Sequence, residues 1–225
     1  MICIPIHLSS ARFPNKALQL LSYTLSNAIA TRLPVLICAS PEFPIDSIQH
    51  APNLRIVTTG EHPNGTARIK DALNRSESFP SNVIINLQVD EPTLTKEILL
   101  WLWAEAQVLS SPFGNKPDII TLATTHLLDS QLYDKNVVKV TLQYTEQLAK
   151  HFSRGSNIQN PLRHIGIYAY TRSFLNDLNH SDRDLEQNDW MKAGKKIKVL
   201  VSCEPFISVD VPGDWDKFLQ YQVNQ

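Results

Sequence analysis

Glycine is scarce: the 225-residue chain carries only 7. Phosphate-cradling loops rely on glycine for close backbone approach. Neither a G-x-G-x-x-G run nor a Walker A pattern occurs, so a nucleotide bound here is held by side chains and another loop type. Cysteine is sparse too. Cys3, Cys38 and Cys203 are odd in number, far apart and set in apolar runs. That excludes a disulfide frame or zinc site and predicts buried thiols in a reducing compartment. An excess of one charge is also missing. The 21 Lys and Arg nearly balance the 22 Asp and Glu, for a net charge of -1, so no broad basic field attracts nucleic acid. No apolar run approaches the roughly 20 residues of a membrane span. Met1–Ile6 is too short, and lacks the basic start, to read as a secretory signal. The expectation is a cytoplasmic protein with neither nucleic-acid nor membrane partners.

What is present is ordinary globular composition, 43% hydrophobic and 19% charged, in a chain long enough for one sizeable core. A single unit over residues 1–225 is expected. Residues 1–7 read as a buried strand, 9–16 as a polar loop and 17–32 as a helix. Strands follow at 34–39 and 54–58, a turn-rich loop at 60–66, a helix at 67–75 and a strand at 83–89. Residues 94–109 have helical spacing, their Leu and Trp residues reading as core. The second half is richer in strand candidates: 119–125, 137–142, 165–170, 197–202 and 207–210. Residues 184–193 read as a helix closed by Gly194, and Pro212 opens a last helix. Alternating β and α elements predict an α/β fold: a doubly wound, mostly parallel sheet with a smaller antiparallel excursion in the second half.

The stretch Ile84–Pro92 is the most informative. An apolar run ends abruptly in Gln88, Asp90, Glu91 and Pro92, and open α/β sheets bind ligands beyond the carboxyl ends of their strands. Alternation places Asn86, Gln88 and Asp90 on one face and Ile85, Leu87 and Val89 on the other. An Asp–Pro strand end is the plainer alternative. Arg12 and Lys16 follow the first strand and suit a triphosphate, or else are two solvated cations. Glu61–Arg68 presents amides to a base or phosphate, or is a plain turn with Asn64 or Thr66 as helix cap. Asp210 pairs with Asp90 as a hard-oxygen site for Mg²⁺, or caps the last helix. His164, Gly166 and Tyr168 share a strand face, as ligand contacts or as a buried, hydrogen-bonded His–Tyr pair.

Taken in order, these segments resemble the 3-deoxy-manno-octulosonate cytidylyltransferases, the CMP-KDO synthetases. Ile4-Pro5 through Ser10–Lys16 looks like that family's opening, His62–Arg68 like its H-x-S-G-T-E-R and Gln88–Pro92 like its Q-G-D-E-P. Asn136–Val140, Phe152–Arg154, Leu162–Tyr168, Leu185–Gln187, Gly194–Ile197 and Val209–Pro212 continue the series. The resemblance implies a nucleotide-diphospho-sugar transferase-like fold and a Mg²⁺-dependent enzyme. It would join CTP to an eight-carbon 2-keto sugar acid, giving the CMP-sugar and pyrophosphate. By matching position Arg12 and Lys16 would hold the triphosphate, and His7, Gly65, Thr66, Arg68 and Gln88 the remainder of CTP. Asp90 and Asp210 would carry Mg²⁺. Gln88, Arg154, His164, Tyr168, Glu186 and Gln187 would surround the sugar acid. The family also implies a homodimer acting in lipopolysaccharide or capsule synthesis.

Departures gather on the nucleotide side. His7 stands where the family has an Arg, and only a protonated imidazole replaces a permanent cation, in part. Asn15 and Val89 replace glycines; Asn tolerates positive φ, a β-branched Val does not readily. Ala67 replaces an acid and Asp189 a base. Three readings follow: a cytidylyltransferase with altered nucleotide binding, the same chemistry on a related acid such as the 8-amino analogue, or a non-catalytic paralogue that keeps the sugar pocket.

Overall fold

A computed structural model describes residues 1–8, 15–76, 81–143, 147–178 and 185–223. The strands are β1 (Ile2–Ile6), β2 (Val35–Ala39), β3 (Leu54–Thr58), β4 (Val83–Leu87), β5 (Ile119–Thr124), β6 (Lys139–Leu142), β7 (Ala149–Ser153), β8 (Leu162–Thr171) and β9 (Ile197–Ser202). The helices are α1 (Lys16–Ala30), α2 (Gly65–Arg75), α3 (Lys96–Ala106), α4 (Asp129–Tyr133), α5 (Arg172–Asp177), α6 (Glu186–Lys192) and α7 (Pro212–Val223).

The sheet runs β3-β2-β1-β4-β8-β5-β9 and does not close. β1 to β4 are mutually parallel. β8 enters antiparallel between β4 and β5, and β9 lies parallel to β5. β6 pairs with β7 and with the start of β8, and makes the antiparallel excursion. This is the expected α/β fold with a mostly parallel sheet.

Alternation along the strands feeds two cores. Ile2, Ile4 and Ile6 of β1 join α1, α3 and α7 on one face, while Met1 and Cys3 join α2, α5 and α6 on the other. In α3, Leu99, Leu102 and Ala106 are buried, with Trp101 and Trp103 packed against the same cluster. Burying a side chain of Leu size stabilises by about 1.5–3 kcal/mol, so α1, α2 and α3 are held by their apolar stripes rather than by intrinsic propensity.

Several boundaries differ from the sequence reading. Residues 207–210 form no strand; they are held by hydrogen bonds from Ile207 N to Thr93 Oγ1 (2.9 Å) and from Val209 N to Asp90 O (2.9 Å). The β4 strand stops at Leu87 because the chain turns there, Glu91 N returning to Gln88 O at 3.3 Å. β7, α4 and α5 carry no clear sequence pattern; they are short and only partly apolar. Cys3 and Cys38 are buried, but Cys203 is exposed because it lies just past the end of β9. Gly194 closes α6 at φ 78 as expected, its amide bonding Met191 O at 3.0 Å; Asp184 lies outside the described residues. Among the described residues no helix is long and apolar enough to cross a membrane.

Candidate active site

Parallel strands end together. The loops after β1, β3 and β4 therefore emerge on one side of the sheet, and antiparallel β8 runs back beside the end of β4. A cavity of about 620 Å³ lies there. Gly65, Thr66, Gln88, Asp90, Arg154, His164, Tyr168, Glu186, Gln187 and Asp210 all line it.

The charged part is a triad from three elements. Lys16, at the start of α1, places Nζ 2.9 Å from Asp90 Oδ2 and 3.6 Å from Asp210 Oδ1. The Lys16 side chain is 12% exposed and the two carboxylates about 30%, so the ammonium sits between them where a cation is wanted. Asp210 is brought in by the irregular 206–210 segment. Asp214, in the first turn of α7, ties that segment to the helix, its Oδ2 accepting from Asp210 N and Val211 N at 3.2 Å each.

Beside the triad, Gln88, His164, Tyr168 and Gln187 are neutral and hydrogen-bonded. Gln88 Nε2 donates to Asn86 Oδ1 at 2.6 Å, keeping the two on one face as the alternation predicts. His164 Nε2 lies 2.9 Å from Thr121 Oγ1. Thr121 gives its one hydroxyl proton to Ile167 O at 2.7 Å, so Nε2 carries the imidazole proton and Nδ1 remains an acceptor. Burial, reinforced by the Arg154 and Arg163 cations, holds the His164 pKa down to about 3, so the ring is neutral. The Gln187 amide donates to the Tyr168 hydroxyl, whose pKa burial drives upward. His164 and Tyr168 are not bonded to each other; their ring centroids are 5.6 Å apart. Gln187 Oε1 is buried without a hydrogen-bond partner, an acceptor left for a ligand hydroxyl. Glu186 is raised by burial, against a hydrogen bond from Thr66.

Arg154 is anchored rather than loose: Nη1 donates to Lys135 O (3.1 Å) and Asn136 O (2.9 Å). The fully buried Lys139 braces the same loops, donating to Asp134 O and Arg154 O at 3.0 Å each. Lys139 was named in the sequence only within a motif; no local pattern marks a buried ammonium.

The nucleotide-side residues are less uniform. Arg12 lies outside the described residues. His7 is exposed just beyond β1. Asn15 takes φ 58 at the N-cap of α1, and Val89 is buried in the core without positive φ; neither replacement of a family glycine strains the chain. Asn64 is the cap of α2, its Oδ1 accepting from Ala67 N at 2.8 Å. Arg68 is 2% exposed and is not among the residues that line the cavity. Its Nη1 donates to Thr59 Oγ1 (2.7 Å) and Gly60 O (3.1 Å), while Nη2 is buried without a partner. Ser40 Oγ, at the end of β2, is similarly unpartnered.

Glu91 is the main residue to which the sequence assigned no role. It is 5% exposed, and its Oε1 accepts from Gly166 N at 3.0 Å and its Oε2 from Ser208 Oγ at 2.7 Å. Burial and the neighbouring Asp90 push its pKa up to about 7, against the pull of Arg163.

The cytidylyltransferase family model matches residues 1–197. A 3-deoxy-manno-octulosonate cytidylyltransferase of Leptospira interrogans is 31% identical over 94% of this chain and 91% of its own length. The enzyme of that name from Wolinella succinogenes is 30% identical over 98% of both chains. An 8-amino-3,8-dideoxy-manno-octulosonate cytidylyltransferase of Shewanella pealeana is 29% identical over 95% of this chain and 94% of its own. Among solved structures, a CMP:2-keto-3-deoxy-manno-octonic acid synthetase complexed with CTP superposes with a TM-score of 0.82 at 24% identity, covering 99% of this chain and 98% of that one.

Proposed function

The chain belongs to the cytidylyltransferase family, and from that premise we propose that it transfers the cytidylyl group of CTP to a 2-keto sugar acid of the 3-deoxy-manno-octulosonate class. The sugar's anomeric oxygen would bond to the α-phosphorus as the α–β anhydride breaks and pyrophosphate leaves. The observation that carries the reading is the Asp90–Lys16–Asp210 triad at the end of β4, beside a cavity lined by Arg154 and by the neutral side chains of Gln88, His164, Tyr168 and Gln187.

Asp90 and Asp210 fit Mg²⁺ by chemistry: two hard-oxygen donors already converge on one ammonium. Bound there with the nucleotide phosphates, the metal would neutralise charge developing on them. Lys16 would keep one carboxylate paired and lend its charge to the triphosphate, with Arg12 alongside. On the other wall, anchored Arg154 suits the sugar carboxylate. The His164 Nδ1 acceptor and the orphan Gln187 Oε1 suit sugar hydroxyls, with Tyr168 and Glu186 beside them. Such a site works by positioning and charge stabilisation, since this transfer asks little covalent chemistry of the protein. The same reading carries a single unit over 1–225 and a cytoplasmic homodimer.

The test is pyrophosphate release from CTP and Mg²⁺ with 3-deoxy-manno-octulosonate, with its 8-amino analogue, and with no sugar. Release dependent on either sugar supports the reading and names the substrate. CTP binding with no release from either sugar would redirect the search to another acid. Absence of both binding and release would leave the non-catalytic paralogue.

A further inference from the structure

The segment 206–210 carries Asp210 to the site without belonging to the sheet. Its Ile207 and Val209 amides are bonded, to Thr93 Oγ1 and Asp90 O, but without ladder partners these leave the segment lightly held, and Asp210 must meet Asp90 closely. Side chains supply what the ladder does not. Glu91, next to Asp90, accepts from Ser208 Oγ at 2.7 Å. Arg163 of β8 donates through Nη2 to the same Ser208 Oγ at 2.9 Å and through Nη1 to Phe206 O. The other oxygen of Glu91 takes the Gly166 amide at 3.0 Å. That amide is available for two reasons. β4 ends at Leu87, opposite Ile167, so Gly166 has no partner there. Against β5, pairing jumps from Thr121–Tyr168 to Leu122–Ile165, leaving Gly166 and Ile167 as a bulge. A Cβ on Gly166 would lie 3.2 Å from Glu91 Oε1, a tight contact that glycine avoids. Glu91 and Arg163 are 5% and 7% exposed, out of reach of competing water.

We propose that Glu91, Ser208 and Arg163 form a positioning network that seats the 206–210 segment on the β4 turn and so sets the Asp90–Asp210 spacing for a divalent cation. These are positioning residues; the carboxylates of Asp90 and Asp210 make the contact. The proposal rests on the metal reading given above and deepens it.

The experiment measures CTP affinity by calorimetry, with and without Mg²⁺, on the full chain and without sugar. The wild type is expected to gain affinity when Mg²⁺ is added. Ser208→Ala is expected to cut that gain about tenfold while leaving the Mg²⁺-free affinity unchanged. Glu91→Gln, which can still accept from Gly166 and bond Ser208, is expected to keep most of the gain; Glu91→Ala is expected to lose it. Hydrogen exchange in the ligand-free Ser208→Ala protein is expected to speed at the Ile207 and Val209 amides. Faster exchange with an intact Mg²⁺ gain overturns the positioning role, as does equal loss of Mg²⁺-free and Mg²⁺-dependent affinity. A wild type that binds CTP with no Mg²⁺ gain overturns the metal reading itself, and is seen before any variant is made.

Discussion

The two walls of the cavity hold their side chains by different means. On the parallel side, Lys16, Asp90 and Asp210 are charged, partly exposed and balanced against one another. On the antiparallel side, His164 and Gln187 are buried and Tyr168 half-buried, all three neutral and locked by single hydrogen bonds. The difference follows from what each wall would face. Charges that meet phosphate and a cation must remain ionised, which full burial would oppose. Groups that meet sugar hydroxyls gain from being desolvated and pre-oriented.

The largest effect that breaks this contrast is neutralising the charged wall. Asp90→Asn or Asp210→Asn is expected to lower kcat by about a hundred- to a thousand-fold, measured by steady-state pyrophosphate release. Unchanged kcat would remove the triad from the reaction.

Protonating the neutral wall comes next. The folded-state His164 pKa is depressed to about 3, below the roughly 6.5 of an unfolded histidine. Its contribution is therefore complete above about pH 6.5 and is lost as pH falls toward 3, at up to about 1.4 kcal/mol per pH unit. His164→Gln is expected to flatten the acid limb of a urea-denaturation series over that window. An acid limb of unchanged slope would show that the ring is not buried neutral.

A smaller effect couples the walls. A Cβ at Gly65 would stand 2.9 Å from Pro5 Cγ and 3.1 Å from Gln88 Nε2, so Gly65→Ala is expected to push Gln88 off Asn86. The sugar KM should rise about tenfold, the size of losing one hydrogen bond of about 1–1.5 kcal/mol. A change confined to the CTP KM would place Gln88 wholly on the nucleotide.

The smallest sharpens the nucleotide side. His7→Arg restores a permanent cation at the end of β1 and is expected to tighten CTP several-fold by calorimetry, in line with an exposed charge pair of up to about 1 kcal/mol. No gain would mean that this position does not face the phosphates.

Much of this was legible in the chain. The apolar runs at 1–7, 34–39 and 83–89 located the strands, alternation in the last of them separated its two faces, and the abrupt run Gln88–Pro92 pointed to the strand end where the cavity lies. Asn15 was readable as a residue that tolerates positive φ. Less legible was Arg68, whose motif suggests the nucleotide but whose guanidinium packs on Thr59 and Gly60. The apolar look of 207–210 suggested a strand where single hydrogen bonds hold an irregular segment instead.

The sequence by itself determined the α/β class, the two-sided core and the chemical types available at the strand ends, because periodic burial and turn chemistry are local properties. The tertiary structure alone decided that Asp90 and Asp210 share one lysine, that Glu91 is buried against Gly166 and Ser208, and that Lys139 braces Arg154. Those are distances between residues far apart in the chain. They depend on β8 entering antiparallel beside β4 and on a bulge that frees one amide, and neither is written in any local pattern.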